Sequence, residues 1–243
     1  MRLSRLYCPK PLQSGERITL DEMQAHYLQT VLRLRAGSDL VLFNGENGEY
    51  RARLCEVSRK QVSVEIGAFI AADRESPLAV ELGLGLARSD RVDFALQKAV
   101  ELGVRAMTPL QCERSVVRLA PTQIAGKTEH WRKILQHAAA QCGRCRLPHL
   151  YELATLPQWL ARCTGLRVLL DPDATMPLTD LPAPSQGVIL LIGPEGGFSS
   201  SERAMIIASG FVPVRLGARI MRAETAVVAA LAAVQTLWGD LGR

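Results

Sequence analysis

Over the first 72 residues apolar and polar positions alternate in short runs, the two-residue period of half-buried strands. Residues 39–43, 49–57 and 61–69 follow it, and Asn44-Gly45 and Asn47-Gly48 supply turn chemistry between the first two runs. A helical period takes over across 21–34, where Asp21 fits an N-cap and Gly37 stands just past the end. The pattern predicts a small β-barrel with one helix over residues 1–72. Residues 71–77, Ala-Ala-Asp-Arg-Glu-Ser-Pro, read as a linker.

Beyond Pro77 the rhythm changes. Runs 78–86, 104–110, 167–170, 188–192 and 211–216 are apolar almost throughout, which suits strands buried on both faces. Between the first two, Ser89 can cap a helix that ends at Gly103 and gathers Val92, Ala95, Leu96, Ala99 and Val100 on one side. Further helical stretches fall near 127–141, 156–163 and 200–209, and a last, very apolar one covers 224–238. Strands alternating with helices predict an α/β domain over 73–243, its sheet mainly parallel and covered on both faces.

Composition narrows the function classes. With 48% hydrophobic residues in 243, a sizeable core can form. No apolar run approaches the ~18–20 residues of a membrane span, so no membrane partner is expected. Six cysteines (Cys8, Cys55, Cys112, Cys142, Cys145, Cys163) are too sparse for a disulfide scaffold and read as reduced thiols of a cytoplasmic protein. The net charge is +5 but uneven: residues 105–149 carry eight Lys/Arg against two Glu. Such a cluster suits a polyanion, here RNA rather than DNA, although a solvated basic face would look the same.

Two segments carry candidate chemistry. The apolar run 188–192 leads into Gly193-Pro194-Glu195-Gly196-Gly197, and Ser199 and Glu202 then have capping-box spacing. Ligands of open α/β sheets bind beyond the carboxyl ends of strands, where this loop falls, and glycines let backbone approach a ligand closely. The loop lacks the Gly-Lys-Ser/Thr of a Walker motif and the spacing of a dinucleotide fingerprint. Read alone, it is also compatible with a tight strand-to-helix turn. The second segment, residues 216–226, follows the 211–216 run and sets Arg219, Arg222 and Glu224 just before the last helix. Those charges can cap the helix or face a ligand. His137, Cys142, Cys145 and His149 could serve as zinc ligands, but Gln141-Cys142-Gly143-Arg144 reads better as a basic loop, and no metal is expected.

Together these segments resemble the knotted SPOUT class of RNA methyltransferases, and within it the RsmE family, which methylates uridine N3 of 16S ribosomal RNA. The resemblance runs through Leu102-Gly103-Val104, Pro109-Leu110, Glu113-Arg114-Ser115-Val116-Val117, Trp131-Arg132-Lys133-Ile134 and residues 138–144, and through His26-Tyr27-Leu28 to Gly37 near the N-terminus. It implies a C-terminal trefoil-knot domain with a mainly parallel sheet behind a PUA-like RNA-binding β-barrel. It further implies a homodimer, and 16S rRNA or the small ribosomal subunit as partner. S-adenosylmethionine would be held by Leu170, Ile192, Gly193, Pro194, Glu195, Gly196, Leu216, Gly217, Ile220, Met221 and Ala226. Arg222 and Glu224 are the catalytic candidates, and Arg5, Arg33, Arg114, Arg118, Arg132, Arg144 and Arg219 the RNA contacts. The chain departs from the family at Met221 (usually Leu), Ala223 (Thr), His137 and Ala140 (Glu) and Cys142 (Ser).

Overall fold

The computed structural model describes residues 3–46, 48–58 and 61–242, so Asn47 of the second expected turn lies outside the described residues. The chain divides into two compact units, Met1–Glu75 with Ala139–Leu147, and Ser76–Ala138 with Pro148–Arg243. The expected boundary at 72/73 leaves out the return of residues 139–147 to the first unit. A linear pattern cannot display that return.

The first unit contains β1 (Ser4–Tyr7), β2 (Arg17–Thr19), α1 (Glu22–His26), β3 (Asp39–Phe43), β4 (Gly48–Val57) and β5 (Val62–Ala71). They form one sheet in the order β1-β3-β4-β5-β2, with β1 parallel to β3 and every other pairing antiparallel. Alternation sends Leu40, Leu42, Ala52, Leu54, Val62, Val64 and Ile66 into one core. Asp21 caps α1 as expected: its carboxylate accepts the Gln24 N–H at 2.7 Å, and the Gln24 side chain accepts the Asp21 N–H at 3.1 Å. The helix expected over 21–34 then changes character, because Tyr27–Val31 form a π-turn in which the Leu32 N–H bonds to Tyr27 O at 3.0 Å. Leu28 points into the core, and Arg33 ends the element with a left-handed φ of 52°.

A buried ion cluster holds this unit together. Arg5 Nε donates to Glu49 at 3.1 Å, its Nη1 to Ala139 O and Ala140 O at 3.0 and 3.2 Å, and its Nη2 to Arg144 O at 3.0 Å. Arg74 Nη1 also reaches Glu49, at 3.3 Å, and Gly143 O, at 2.7 Å. Arg144 is buried as well and pairs with Glu75 at 3.1 Å. Two residues expected to contact RNA, Arg5 and Arg144, are therefore spent inside the protein. Their donors satisfy carbonyls and carboxylates of their own unit, and this placement corrects the expectation.

The second unit contains β6 (Val80–Gly85), α2 (Ser89–Glu101), β7 (Ala106–Gln111), most of α3 (Pro121–Cys142), β8 (His149–Leu150), β9 (Ala154–Thr155), α4 (Leu156–Leu160), β10 (Leu166–Leu170), β11 (Val188–Ile192), α5 (Ser200–Ala208), β12 (Val212–Val214) and α6 (Ala223–Trp238). All its strand pairings are parallel, in the order β12-β10-β11-β6-β7-β8, with β9 also on β7. The apolar strand runs follow from burial on both faces. Ile189 and Leu191 join Leu169, Trp159, Ile206 and Phe211 in one core, whereas α6 packs on β11 and α2 through buried Val227, Leu231 and Val234. Gln235 is fully buried but satisfied, donating to Leu102 O at 3.0 Å and accepting from Ser76 Oγ at 2.6 Å. α3 starts at Pro121 instead of near 127, since proline costs nothing at a first helical position whose N–H has no partner anyway. Among the described residues, no helix is long and apolar enough to cross a membrane.

The Arg5 cluster generates a prediction. Burial alone would raise the Glu49 pKa, but Arg74 and Arg5 outweigh it and hold the carboxyl below its ordinary 4.5. A depressed folded-state pKa gives stability that is full above the unfolded value and lost as pH falls through the folded one. Arg5→Met leaves Glu49 with the half-exposed Arg74 alone and removes the donor to three carbonyls, and should lower the unfolding free energy by about 3–5 kcal/mol in urea titrations at pH 7. Arg5→Met/Glu49→Leu should recover most of that loss, and a double variant as unstable as the single one would exclude the mechanism.

Candidate functional site

At the carboxyl end of the parallel sheet the loop after β11 is shaped by close backbone packing. Ile192 pairs with Leu84 in the β11–β6 register, which brings Gly85 beside the loop. A Cβ at Gly85 would lie 2.5 Å from Pro194, and one at Gly196 would lie 2.9 Å from the Arg114 carbonyl oxygen. Neither position tolerates a side chain without displacing backbone. Gly197 turns the chain with φ 65°, and its N–H bonds to Pro194 O at 2.9 Å.

The helix start then locks the loop from below. Ser199 Oγ accepts the Glu202 N–H at 3.1 Å, while Glu202 Oε2 accepts the Ser199 N–H at 3.0 Å. Glu202 Oε1 also accepts the Glu113 N–H, at 2.8 Å, so one buried carboxylate ties the 113–118 segment to the loop. Cys112, next to this junction, is pushed up to about 12 by burial and then by the Glu202 charge, which leaves its thiol protonated and inert at neutral pH.

A cavity of about 590 Å³ opens over the loop. All eleven residues expected around a cofactor line it: Leu170, Ile192, Gly193, Pro194, Glu195, Gly196, Leu216, Gly217, Ile220, Met221 and Ala226. Their backbone and apolar side chains form its floor, and the volume falls in the ~300–1,000 Å³ range of small-molecule sites.

The charged candidates separate. Arg222, Arg219 and Arg114 line the cavity, whereas Glu224 does not. Glu224 lies behind it, with Oε1 3.8 Å from Arg91 Nε. Arg219 and Arg222 are exposed and their side chains have no ion pair or hydrogen bond among the described residues, and Arg114 reaches Gly196 O at 3.5 Å. Arg33, Arg118 and Arg132 are exposed and are not part of the cavity lining; Arg118 donates to Glu113 O at 3.1 Å and Arg132 pairs with Glu129 at 3.7 Å.

Sequence reasoning missed Arg91, Asp171 and Arg203 in the lining. Asp171 follows β10 and accepts from Arg203 Nε at 2.8 Å and from the Asp173 N–H at 2.9 Å. The strand-end rule that found the 193–197 loop applies equally to the end of β10 and could have found Asp171. Arg91 sits in the first turn of α2, far from the 193–197 loop in sequence, and nothing in its local pattern marks it.

Comparison with known proteins agrees with this geometry. A family model described as an RNA methyltransferase domain matches residues 74–235, and an RNA methyltransferase PUA domain model matches residues 20–67. A relative from Buchnera aphidicola subsp. Schizaphis graminum, named ribosomal RNA small subunit methyltransferase E, is 34% identical over 99% of this chain and 98% of its own length. A crystal structure of a protein of that name from Neisseria gonorrhoeae, bound to S-adenosylmethionine, is 34% identical and superposes with a TM-score of 0.92, covering 99% of this chain and 100% of that one. A Legionella pneumophila structure in complex with the same cofactor reaches a TM-score of 0.96 at 37% identity, covering 99% of this chain and 100% of that one.

Proposed function

The chain belongs to the RNA methyltransferase family, and from that premise we propose that it methylates N3 of a uridine in 16S ribosomal RNA, with S-adenosylmethionine as donor. The observation that carries this reading is that the 193–197 loop and the 216–226 segment line one cavity. The fit is steric and chemical. A Cβ at Gly196 would close the approach of the loop to Arg114, and the apolar side chains of Leu170, Ile192, Leu216 and Met221 suit a nucleoside more than a phosphate chain.

When bound, the donor supplies a methyl group on a sulfonium that leaves readily, so the protein's task is positioning and electrostatics. Uridine N3 is protonated at neutral pH and must lose that proton before or during attack. The charge that develops spreads to O2 and O4. Arg222, exposed at the N-cap of α6, its side chain without a protein partner among the described residues, supplies a cation for those oxygens, and Arg219 is the alternative. Glu224 is less suited to take the proton directly, because it does not line the cavity and is engaged by Arg91.

N3 lies on the Watson–Crick edge, so the target uridine must be unpaired or flipped out of a helix. Surrounding RNA is held by the exposed Arg33, Arg114, Arg118, Arg132 and Arg219, in a cytoplasmic homodimer whose partner is 16S rRNA or the small subunit. A trefoil knot belongs to the same reading: β12 lies beyond β10 although the chain reaches it from β11.

Three outcomes test this reading. Nucleoside mass spectrometry of 16S rRNA from a deletion strain should show loss of N3-methyluridine; loss of a ribose-methylated or other base-methylated nucleoside instead would move the activity to another RNA atom. Arg222→Ala should cut kcat by roughly a hundredfold while the Kd for S-adenosylmethionine stays within about twofold. Gly196→Val should abolish calorimetric binding of S-adenosylmethionine, and binding equal to that of the unaltered protein would displace the cofactor from this loop.

A further inference from the structure

Behind the cavity wall lies a charge arrangement that the reaction as described does not use. Arg91 Nη1 stands 3.3 Å from Glu195 Oε1, and Arg91 Nε stands 3.8 Å from Glu224 Oε1. The side chains of all three are largely buried, at 16%, 19% and 15% exposure. Glu195 Oε1 also accepts the Arg88 N–H at 3.1 Å. The other carboxylate oxygens, Glu195 Oε2 and Glu224 Oε2, are buried with no hydrogen-bond partner. One guanidinium thus faces two carboxylates that come from the two segments forming the cavity.

Helix formation does not explain the placement of Arg91. It occupies the first turn of α2, where the helix dipole disfavours a cation. Glu224 is favoured by the dipole in the first turn of α6, but that accounts for its position and not for its burial against Arg91. Two acidic groups sharing one cation in a poorly solvated place are costly unless the cation holds both.

We infer that Arg91 is a positioning residue, which fastens the 193–197 loop to the start of α6 and so fixes the two walls of the cofactor cavity against each other. This rests on the proposed cofactor reading. Arg91 does line the cavity, but its donors are directed to protein carboxylates, and its effect on the reaction passes through Glu195 and Glu224. Without it, the two carboxylates repel each other with only the Arg88 N–H between them and their walls. The loop and the helix start then separate, and the cavity loses its shape.

The charge count supplies a test that a merely structural role would not pass. Arg91→Met should weaken S-adenosylmethionine binding by on the order of tenfold or more in calorimetry. It should raise the cofactor KM more than it lowers kcat at saturating cofactor. Adding Glu224→Gln to Arg91→Met removes one of the two stranded charges and should tighten binding again, although Glu224→Gln alone weakens it. Arg91→Lys keeps the charge but spans fewer acceptors, so its affinity should fall between those of Arg91→Met and the unaltered protein. If Arg91→Met does not fold, Arg91→Lys with and without Glu224→Gln carries the same comparison at an unchanged unfolding temperature. Wild-type affinity in Arg91→Met or Arg91→Lys overturns the inference, as does a Glu224→Gln effect of the same sign and size in both backgrounds. Failure of the unaltered protein to bind S-adenosylmethionine would instead sink the cofactor reading.

Discussion

The candidate site depends on how closely the backbone after β11 can approach its neighbours. The parallel register of β11 on β6 sets Gly85 against Pro194, where any Cβ would come within 2.5 Å. Gly196 lies against the Arg114 carbonyl, where a Cβ would come within 2.9 Å of the oxygen. From this seating the rest follows in short steps. Glu195 comes within reach of the Arg88 N–H and of Arg91, and Ser199 is placed to box with Glu202. Glu202 in turn holds the 113–118 segment. A loop a side chain's width further out would break each of these contacts, and the cavity would open to bulk water on the side where the apolar floor now lies.

Much of this was legible in the chain because it is local. The apolar runs announce strands buried on both faces, and β10, β11 and α2 fall within a residue or two of where periodicity puts them, although Arg88, with no side-chain cap, and not Ser89 stands at the N-cap of α2. The N-cap at Asp21 and the capping box at Ser199 are local signals and both are present, and the structure adds a capping box at Asp21 through Gln24. The 193–197 and 216–226 segments were legible as strand-end loops for the same reason, whereas the individual cofactor candidates came from the family resemblance. What was lost is non-local or too short. β8 and β9 are two residues each, below the length at which a period exists. The π-turn at Tyr27–Val31 changes one hydrogen-bond register without changing the hydrophobic pattern that suggested a longer helix.

The arginines give the sharper lesson, because they look alike in a sequence and differ entirely in their surroundings. Charge density across residues 105–149 pointed toward RNA, yet Arg144 within it, and Arg5 far from it, are consumed by carbonyls and carboxylates of the N-terminal unit. Their full donor sets identify them: a guanidinium with five N–H groups can close a buried network that lysine could not. The cavity arginines divide in the same way. Arg203 is taken by Asp171 and Arg91 by two glutamates, so each holds a wall in place.

Arg219 and Arg222 remain exposed on the cavity lining, their side chains with no protein partner among the described residues. An unpaired guanidinium on a surface costs little in the free protein because water solvates it. It gains most when a ligand brings developing negative charge into a place from which water has been excluded. Paired cations cannot serve that purpose without first breaking their own bonds. The division of labour inside this cavity therefore follows from which carboxylates lie within reach: Arg91 and Arg203, bound to glutamate and aspartate, shape it, and Arg219 and Arg222, whose side chains have no acceptor among the described residues, are left to meet the substrate.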